Sequence, residues 1–83
     1  MDTRAIIIDL MMNVTKGVTP EQITEKTAFK RDLFMSDRDI MFVIGACEGV
    51  FCIEIPEEDC GKLTTVGELE NYIVNALKGM SYE

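Results

Sequence analysis

The residues best suited to chemistry lie in one short segment, Asp-Leu-Phe-Met-Ser-Asp-Arg-Asp, residues 32–39. It contains Ser36, whose hydroxyl is a candidate attachment point for a covalent group or the cap of a helix. The three cysteines, Cys47, Cys52 and Cys60, have no paired spacing, and the chain contains no histidine. We therefore expect no metal site, no disulfide framework and no catalytic dyad.

Composition limits the class of protein. The chain has 83 residues, 47% of them hydrophobic and spread along its length, which predicts a single globular domain over residues 1–83 with a thin core. A net charge of -7 repels nucleic acid and anionic lipid and favours partners with basic patches. No apolar run approaches the roughly 20 residues that cross a bilayer, and the first residues lack the order of a signal peptide. We expect a cytoplasmic monomer with no nucleic-acid or membrane partner.

The spacing of apolar residues predicts three main helices. The first extends from Thr3 to about Thr15 and is ended by Lys16-Gly17. The second extends from Asp37 to Phe51, where apolar residues recur at intervals of three and four. The last extends from Val66 to Leu77 and is ended by Lys78-Gly79.

Shorter elements connect these helices. Thr19–Gln22 predicts a short helical turn, and Glu57–Lys62 predicts another. Residues 24–31 show no sustained period, which indicates a long loop held to the core by Phe29 and Leu33. These elements predict an all-α fold class, a small helical bundle of three main helices with short extra turns and a long first loop.

Three stretches together resemble the pattern of acyl carrier proteins along nearly the whole chain. They are Phe-Lys-Arg-Asp-Leu at 29–33, Glu-Ile-Pro followed by acids at 54–59, and Lys-Leu-Thr-Thr-Val at 62–66. The resemblance implies an all-α, four-helix acyl-carrier-like bundle with a long first loop and a short third helix, without enzymatic activity. It also implies that the chain carries acyl groups as 4'-phosphopantetheine thioesters in fatty-acid, polyketide or related biosynthesis. The implied partners are biosynthetic enzymes with basic docking patches and, if the chain is modified, a phosphopantetheinyl transferase.

The sequence departs from the family at the attachment site, which in the family is the serine of Asp-Ser-Leu. An ungapped alignment through Asp32-Leu33 places Ser36 on the aspartate, Asp37 on the serine and Arg38 on the leucine. Shifting by one residue would align Ser36 with the serine but would turn the apolar face of the second helix by about 100°. Ser36 is thus the only nearby attachment candidate, one residue off register. Its simpler interpretation is the N-cap of the second helix, with Asp39 at the third helical position.

Two functions remain open at this point. The function predicted first is a carrier with the arm on Ser36. The alternative is a protein that keeps the carrier fold without the prosthetic group and acts as a protein-interaction module. Phe34 replaces a family glycine, and Phe42 and Gly49 stand where acids are common in the family. Ile40 and Phe42 therefore form either an exposed patch or part of the core. Cys60 is the cysteine expected to be exposed. The predicted partner-binding residues are Asp37, Asp39, Phe42 and Glu48.

Overall fold

The computed structural model describes residues 2–80, and within them the protein is all-α without a strand. No helix in this range is long and apolar enough to cross a membrane. The long first loop and the short third helix are as predicted. The elements are α1 (Thr3–Met11), a 3-10 turn (Pro20–Gln22), α2 (Asp37–Phe51), α3 (Glu57–Cys60) and α4 (Val66–Met80).

The core is built where α1 lies against both α2 and α4. The first loop adds Phe29, which is 1% exposed, and Leu33 packs against the core from its edge. Burying one such side chain stabilises the fold by about 1.5–3 kcal/mol. The helices contribute Ile7 and Met11 from α1, Val43, Ile44, Cys47 and Phe51 from α2, and Val66, Leu69 and Ile73 from α4.

The first loop is tied to the start of α4 through its backbone. The N–H of Val66 donates to the carbonyl of Thr27 at 3.0 Å, and the N–H of Gly67 donates to that of Glu25 at 2.9 Å. A Cβ on Gly67 would stand 2.8 Å from the Glu25 carbonyl oxygen. This close approach requires glycine.

The predicted ends of three helices are wrong, whereas the predicted bounds of α2 are confirmed. After Met11 the chain tightens into a turn in which the N–H of Val14 donates to the Met11 carbonyl at 3.0 Å, so α1 stops before Thr15. The chain changes direction at Gly17, whose φ is 73°, six residues after the end of α1. Gly79 has no positive φ, so α4 continues through it. α3 ends at Cys60 rather than at residue 62.

Candidate functional site

Ser36 caps α2 by a reciprocal pair of hydrogen bonds with Asp39. The Ser36 Oγ accepts from the Asp39 N–H at 3.1 Å, and the Asp39 Oδ2 accepts from the Ser36 N–H at 3.1 Å. Ser36 itself has an extended backbone, as an N-cap residue requires. The predicted N-cap is therefore confirmed, and the Ser36 hydroxyl already accepts a backbone hydrogen bond of α2.

Asp37 is the first residue of α2, and its exposed carboxylate pairs with Lys30 at 2.7 Å. Negative charge at a helix N-terminus is favourable because unpaired N–H groups and the helix dipole face it. A phosphodiester linked to serine would place its charge in the same position. However, a carboxylate has no hydroxyl to be esterified, so in the ungapped register the residues present do not fit 4'-phosphopantetheine.

Phe34 occupies the bend that leads into α2. Its φ is 56°, in the left-handed region that a bulky side chain rarely adopts, and its side chain is 86% exposed. The next residue, Met35, is buried and donates its N–H to the Phe29 carbonyl at 3.0 Å, which fixes the bend. A glycine would adopt this conformation without strain.

A groove of about 500 Å³ runs between α2, the first loop and the segment after α3. Asp37 and Lys30 line it beside the start of α2. Its volume lies in the range of small-molecule sites. Because Asp37 lines the groove, the groove adjoins the position that the family uses for attachment. Its apolar lining includes Phe29, Ile40, Met41 and Leu63.

The four predicted partner-binding residues do not share one face of α2. Asp39 and Glu48 are nine residues apart, which places them on nearly opposite sides of the helix. Glu48 is also engaged, since its Oε2 accepts from the Ile55 N–H at 2.8 Å. Phe42 is 51% exposed, while Ile40 packs against the core, so the structure separates these two residues.

The side of α2 that faces away from the core carries Arg38, Phe42, Gly45 and Gly49, which follow one another at intervals of three and four residues. We call this set the outer stripe. All four residues are exposed, and neither glycine has an atom within 4 Å of where a Cβ would stand. The sequence singles out Phe42 and Gly49, which stand where the family commonly has acids. It did not draw attention to Gly45, although the helical spacing of Gly45 from both residues was a readable signal.

The exposure of the cysteines differs from the prediction. Cys52 is exposed because it ends α2 in a left-handed conformation with a φ of 57°, whereas Cys60 is half-buried against the core. Burial raises the pKa of the Cys47 thiol to about 11. Within residues 2–80, no group of three potential metal ligands lies together.

Comparison with known proteins identifies the family. The acyl carrier protein of Chlamydia muridarum is 38% identical over 72 residues, covering 87% of this chain and 87% of that protein. The acyl carrier protein of Wolinella succinogenes is 32% identical over 72 residues, covering 87% and 88%. The chain therefore belongs to the acyl carrier protein family, whose members are carriers rather than enzymes. No protein-family model matches it.

A solved structure agrees with this assignment. The acyl carrier protein from Enterococcus faecalis, in a study of its high thermal stability, superposes with a TM-score of 0.79 at 27% sequence identity. The match covers 90% of this chain and 94% of that chain. The predicted resemblance and the all-α fold are thus confirmed.

Proposed function

We propose that this protein is an acyl carrier protein family member that works without the 4'-phosphopantetheine arm, as a protein-interaction module in the cytoplasm. The observation that carries the proposal is the start of α2. There Asp37 occupies the first helical position and pairs with Lys30, while Ser36 is committed to the cap with Asp39. The partners are enzymes of acyl-thioester biosynthesis, which other members of the family serve.

Two features support the absence of an arm. The negative charge that a phosphate would bring to the helix N-terminus is already supplied by the Asp37 carboxylate. Modification of Ser36 would attach a bulky group to the oxygen that accepts the Asp39 N–H at 3.1 Å. An arm on Ser36 would also be attached to the N-cap residue. In the ungapped register the attachment position is the next residue, Asp37.

A second candidate is a carrier with the arm on Ser36, active in fatty-acid, polyketide or related biosynthesis. The observation that favours it is that Ser36 is exposed at the N-terminus of α2. Ser81, the other serine of the chain, lies outside the described residues. Among residues 2–80, Ser36 is the one serine that could receive the arm.

Coexpression with a broad-specificity phosphopantetheinyl transferase, followed by intact mass measurement, separates the two candidates. We expect no mass gain for the native chain. The double variant Ser36→Asp, Asp37→Ser restores the family order and keeps a capping side chain, and we expect it to gain one arm. A third variant adds Arg38→Leu to complete the family triplet.

Ser36→Ala is the control that maps any modification of the native chain. A single arm on native Ser36, lost in Ser36→Ala, would replace the proposal with the second candidate. If neither the double nor the triple variant gained an arm, the ungapped register would be wrong.

A further inference from the structure

Two segments that are far apart in the chain pair along one wall of the groove. They are residues 27–29 of the first loop and residues 64–66, which lead into α4, and we call them the paired segments. At their centre, Ala28 and Thr65 face each other in an antiparallel bridge. Residues of both segments line the groove, so separating the segments would open this wall. Two backbone hydrogen bonds of 3.0 Å flank the bridge, from the Phe29 N–H to the Thr64 carbonyl and from the Val66 N–H to the Thr27 carbonyl.

Each side of the bridge is held by a carboxylate. The Ala28 N–H donates to the Asp32 Oδ2 at 2.8 Å, and the Thr65 N–H donates to the Glu68 Oε1 at 3.2 Å. The same Glu68 oxygen accepts from the Thr64 N–H at 2.7 Å and from the Thr64 hydroxyl at 2.8 Å. Hydrogen bonds to an ionised carboxylate are roughly twice as strong as neutral ones. The conformation of both paired segments therefore depends on ionised acids.

Both carboxylates are exposed, so protons from the solvent reach them directly. The Ala28 N–H, followed by the Arg31 guanidinium, lowers the pKa of Asp32, and the hydrogen bonds from Thr64 lower the pKa of Glu68. A lowered pKa stabilises the fold above the ordinary values, 3.8 for Asp32 and 4.5 for Glu68. This stabilisation is lost as the pH falls through the folded values, so acid weakens the paired segments.

The other charged groups near the two carboxylates do not replace these bonds. The Arg31 Nε lies 3.4 Å from the Asp32 Oδ1 and contacts its exposed side. A second cavity, of about 320 Å³, is lined by Glu68 and by charged residues of α1, the first loop and α4, namely Arg4, Glu25 and Glu70. Arg4 binds Glu70 at 2.8 Å and Glu25 at 3.4 Å. These are ion pairs between side chains, and they hold no backbone N–H of the paired segments.

The helical core has a different response to acid. Its buried side chains are apolar, so they carry no charge to titrate. The net charge of -7 at pH 7 falls to zero near the isoelectric point of about 4.4. Loss of net charge relieves self-repulsion and favours the compact state. Acid thus weakens the paired segments while it relieves repulsion across the whole molecule, which allows a local opening without global unfolding.

We propose that the paired segments are an acid-sensitive closure of the groove, held shut by Asp32 and Glu68 while both carboxylates are ionised. When both are protonated, the first loop separates from the residues that lead into α4. The wall of the groove then opens, and the helices remain folded. The closure involves neither Ser36 nor Asp37, so it operates in the same way with or without an arm.

Amide hydrogen exchange of the full chain, measured by NMR and corrected for intrinsic rates, detects the opening. Between about pH 6 and about pH 3, the protection of the Phe29 and Val66 N–H groups should fall at least about tenfold. Protection of Ile44 in α2 and Ile73 in α4 should change less than about threefold over the same range. The methyl resonances of Leu63, which is buried and lines the groove, should shift together with the loss of protection.

The double variant Asp32→Asn, Glu68→Gln replaces both acids with neutral acceptors of the same shape. At pH 6 its paired segments should be as weakly protected as those of the native chain at pH 3, with no further fall in acid. Each single variant should show part of the loss, so the comparison remains possible if the double variant does not fold. Glu70→Gln is the matched control, because it removes an ion pair of Arg4 and leaves the paired segments intact. It should keep the native pH dependence.

Three results would overturn the proposal. Loss of protection at Ile44 and Ile73 together with Phe29 and Val66 would mean that acid unfolds the whole molecule. Unchanged protection of the paired segments down to pH 3 would mean that no closure opens. The same pH dependence in the double variant and the native chain would mean that other groups control the opening.

Discussion

Ser36 and Asp37 are neighbours at the start of α2, and their side chains bind different groups. The Ser36 hydroxyl accepts a backbone N–H of the first turn, and the Asp37 carboxylate pairs with Lys30 from the first loop. The serine thus caps the N-terminus of the helix, while the aspartate places a negative charge there. The sequence was sufficient to predict this division, because cap preferences and helix register are local properties.

Removal of the cap should destabilise the protein without changing its fold. We expect Ser36→Ala to lower the free energy of unfolding by about 1 kcal/mol, because the Asp39 N–H loses its acceptor. Ser36→Asp retains an acceptor at this position and should lose much less. Urea denaturation followed by circular dichroism measures both. Equal loss in the two variants would mean that the hydroxyl is used for something other than capping.

Glu68 should make part of the stability depend on pH. Hydrogen bonds from the Thr64 backbone at 2.7 Å, the Thr64 hydroxyl at 2.8 Å and the Thr65 N–H at 3.2 Å lower the pKa of its carboxyl. A lowered pKa stabilises the fold above the ordinary value of 4.5, and this stabilisation disappears as the pH falls through the folded value.

We therefore expect Glu68→Gln to be less stable than the native chain at pH 7 and closer to it at pH 3. Urea midpoints at the two pH values measure the difference. If the difference in urea midpoint between the two proteins were the same at both pH values, it would contradict an ionic contribution from Glu68.

Among the elements, the first loop and α4 show a contact that the sequence did not reveal. Gly67 was predicted only as a residue within the last helix, yet its N–H bonds the Glu25 carbonyl across 42 positions of the chain. Helical periodicity reports which face of a helix is apolar and contains no information on which loop approaches its backbone. The same limit explains the helix ends, where Gly79 was predicted to stop α4 and did not.

Gly67→Ala should detach the first loop from α4. The added Cβ would stand 2.8 Å from the Glu25 oxygen and 3.0 Å from its Cβ, so the backbone must move. We expect a loss of about 1–3 kcal/mol, typical of an overpacked site. Gly79→Ala is the matched control and should not destabilise α4. Thermal denaturation compares the two, and an unchanged melting temperature for Gly67→Ala would contradict the contact.

At the scale of the whole molecule, the three cysteines lie at three different depths, from the centre of the core to the surface. Cys47 is fully buried, with its thiol pKa raised to about 11, Cys60 is half-buried, and Cys52 is exposed. Because the thiolate is the reactive form, burial slows alkylation both by access and by protonation. The sequence placed Cys60 outside because its turn looked short, and it missed the left-handed C-cap at Cys52.

We expect iodoacetamide at pH 8 to alkylate Cys52 first, Cys60 more slowly and Cys47 only when the core opens. Peptide mapping over time measures the order. In concentrated urea all three should react at similar rates, and Cys52→Ser should remove the fast phase. Early labelling of Cys47 in the folded protein would contradict the packing of α2 against α1.

The family and the all-α architecture were predictable from the sequence, because the motifs at 29–33, 54–59 and 62–66 extend along nearly the whole chain. The exposed surface at the start and along the outer side of α2 was less predictable. Phe42 was recognised, but the backbone strain at Phe34 and the open space beside Gly45 and Gly49 depend on coordinates. Residue types indicate which surface departs from the family, and the structure shows which of those residues are exposed.

The central claim is that the protein works without an arm, and the most direct measurement is its intact mass when isolated from the cells that naturally make it. We predict the mass of the unmodified chain, with the tryptic peptide that contains Ser36 and Asp37 also unmodified. Recovery of that peptide with 4'-phosphopantetheine on Ser36 would contradict the claim.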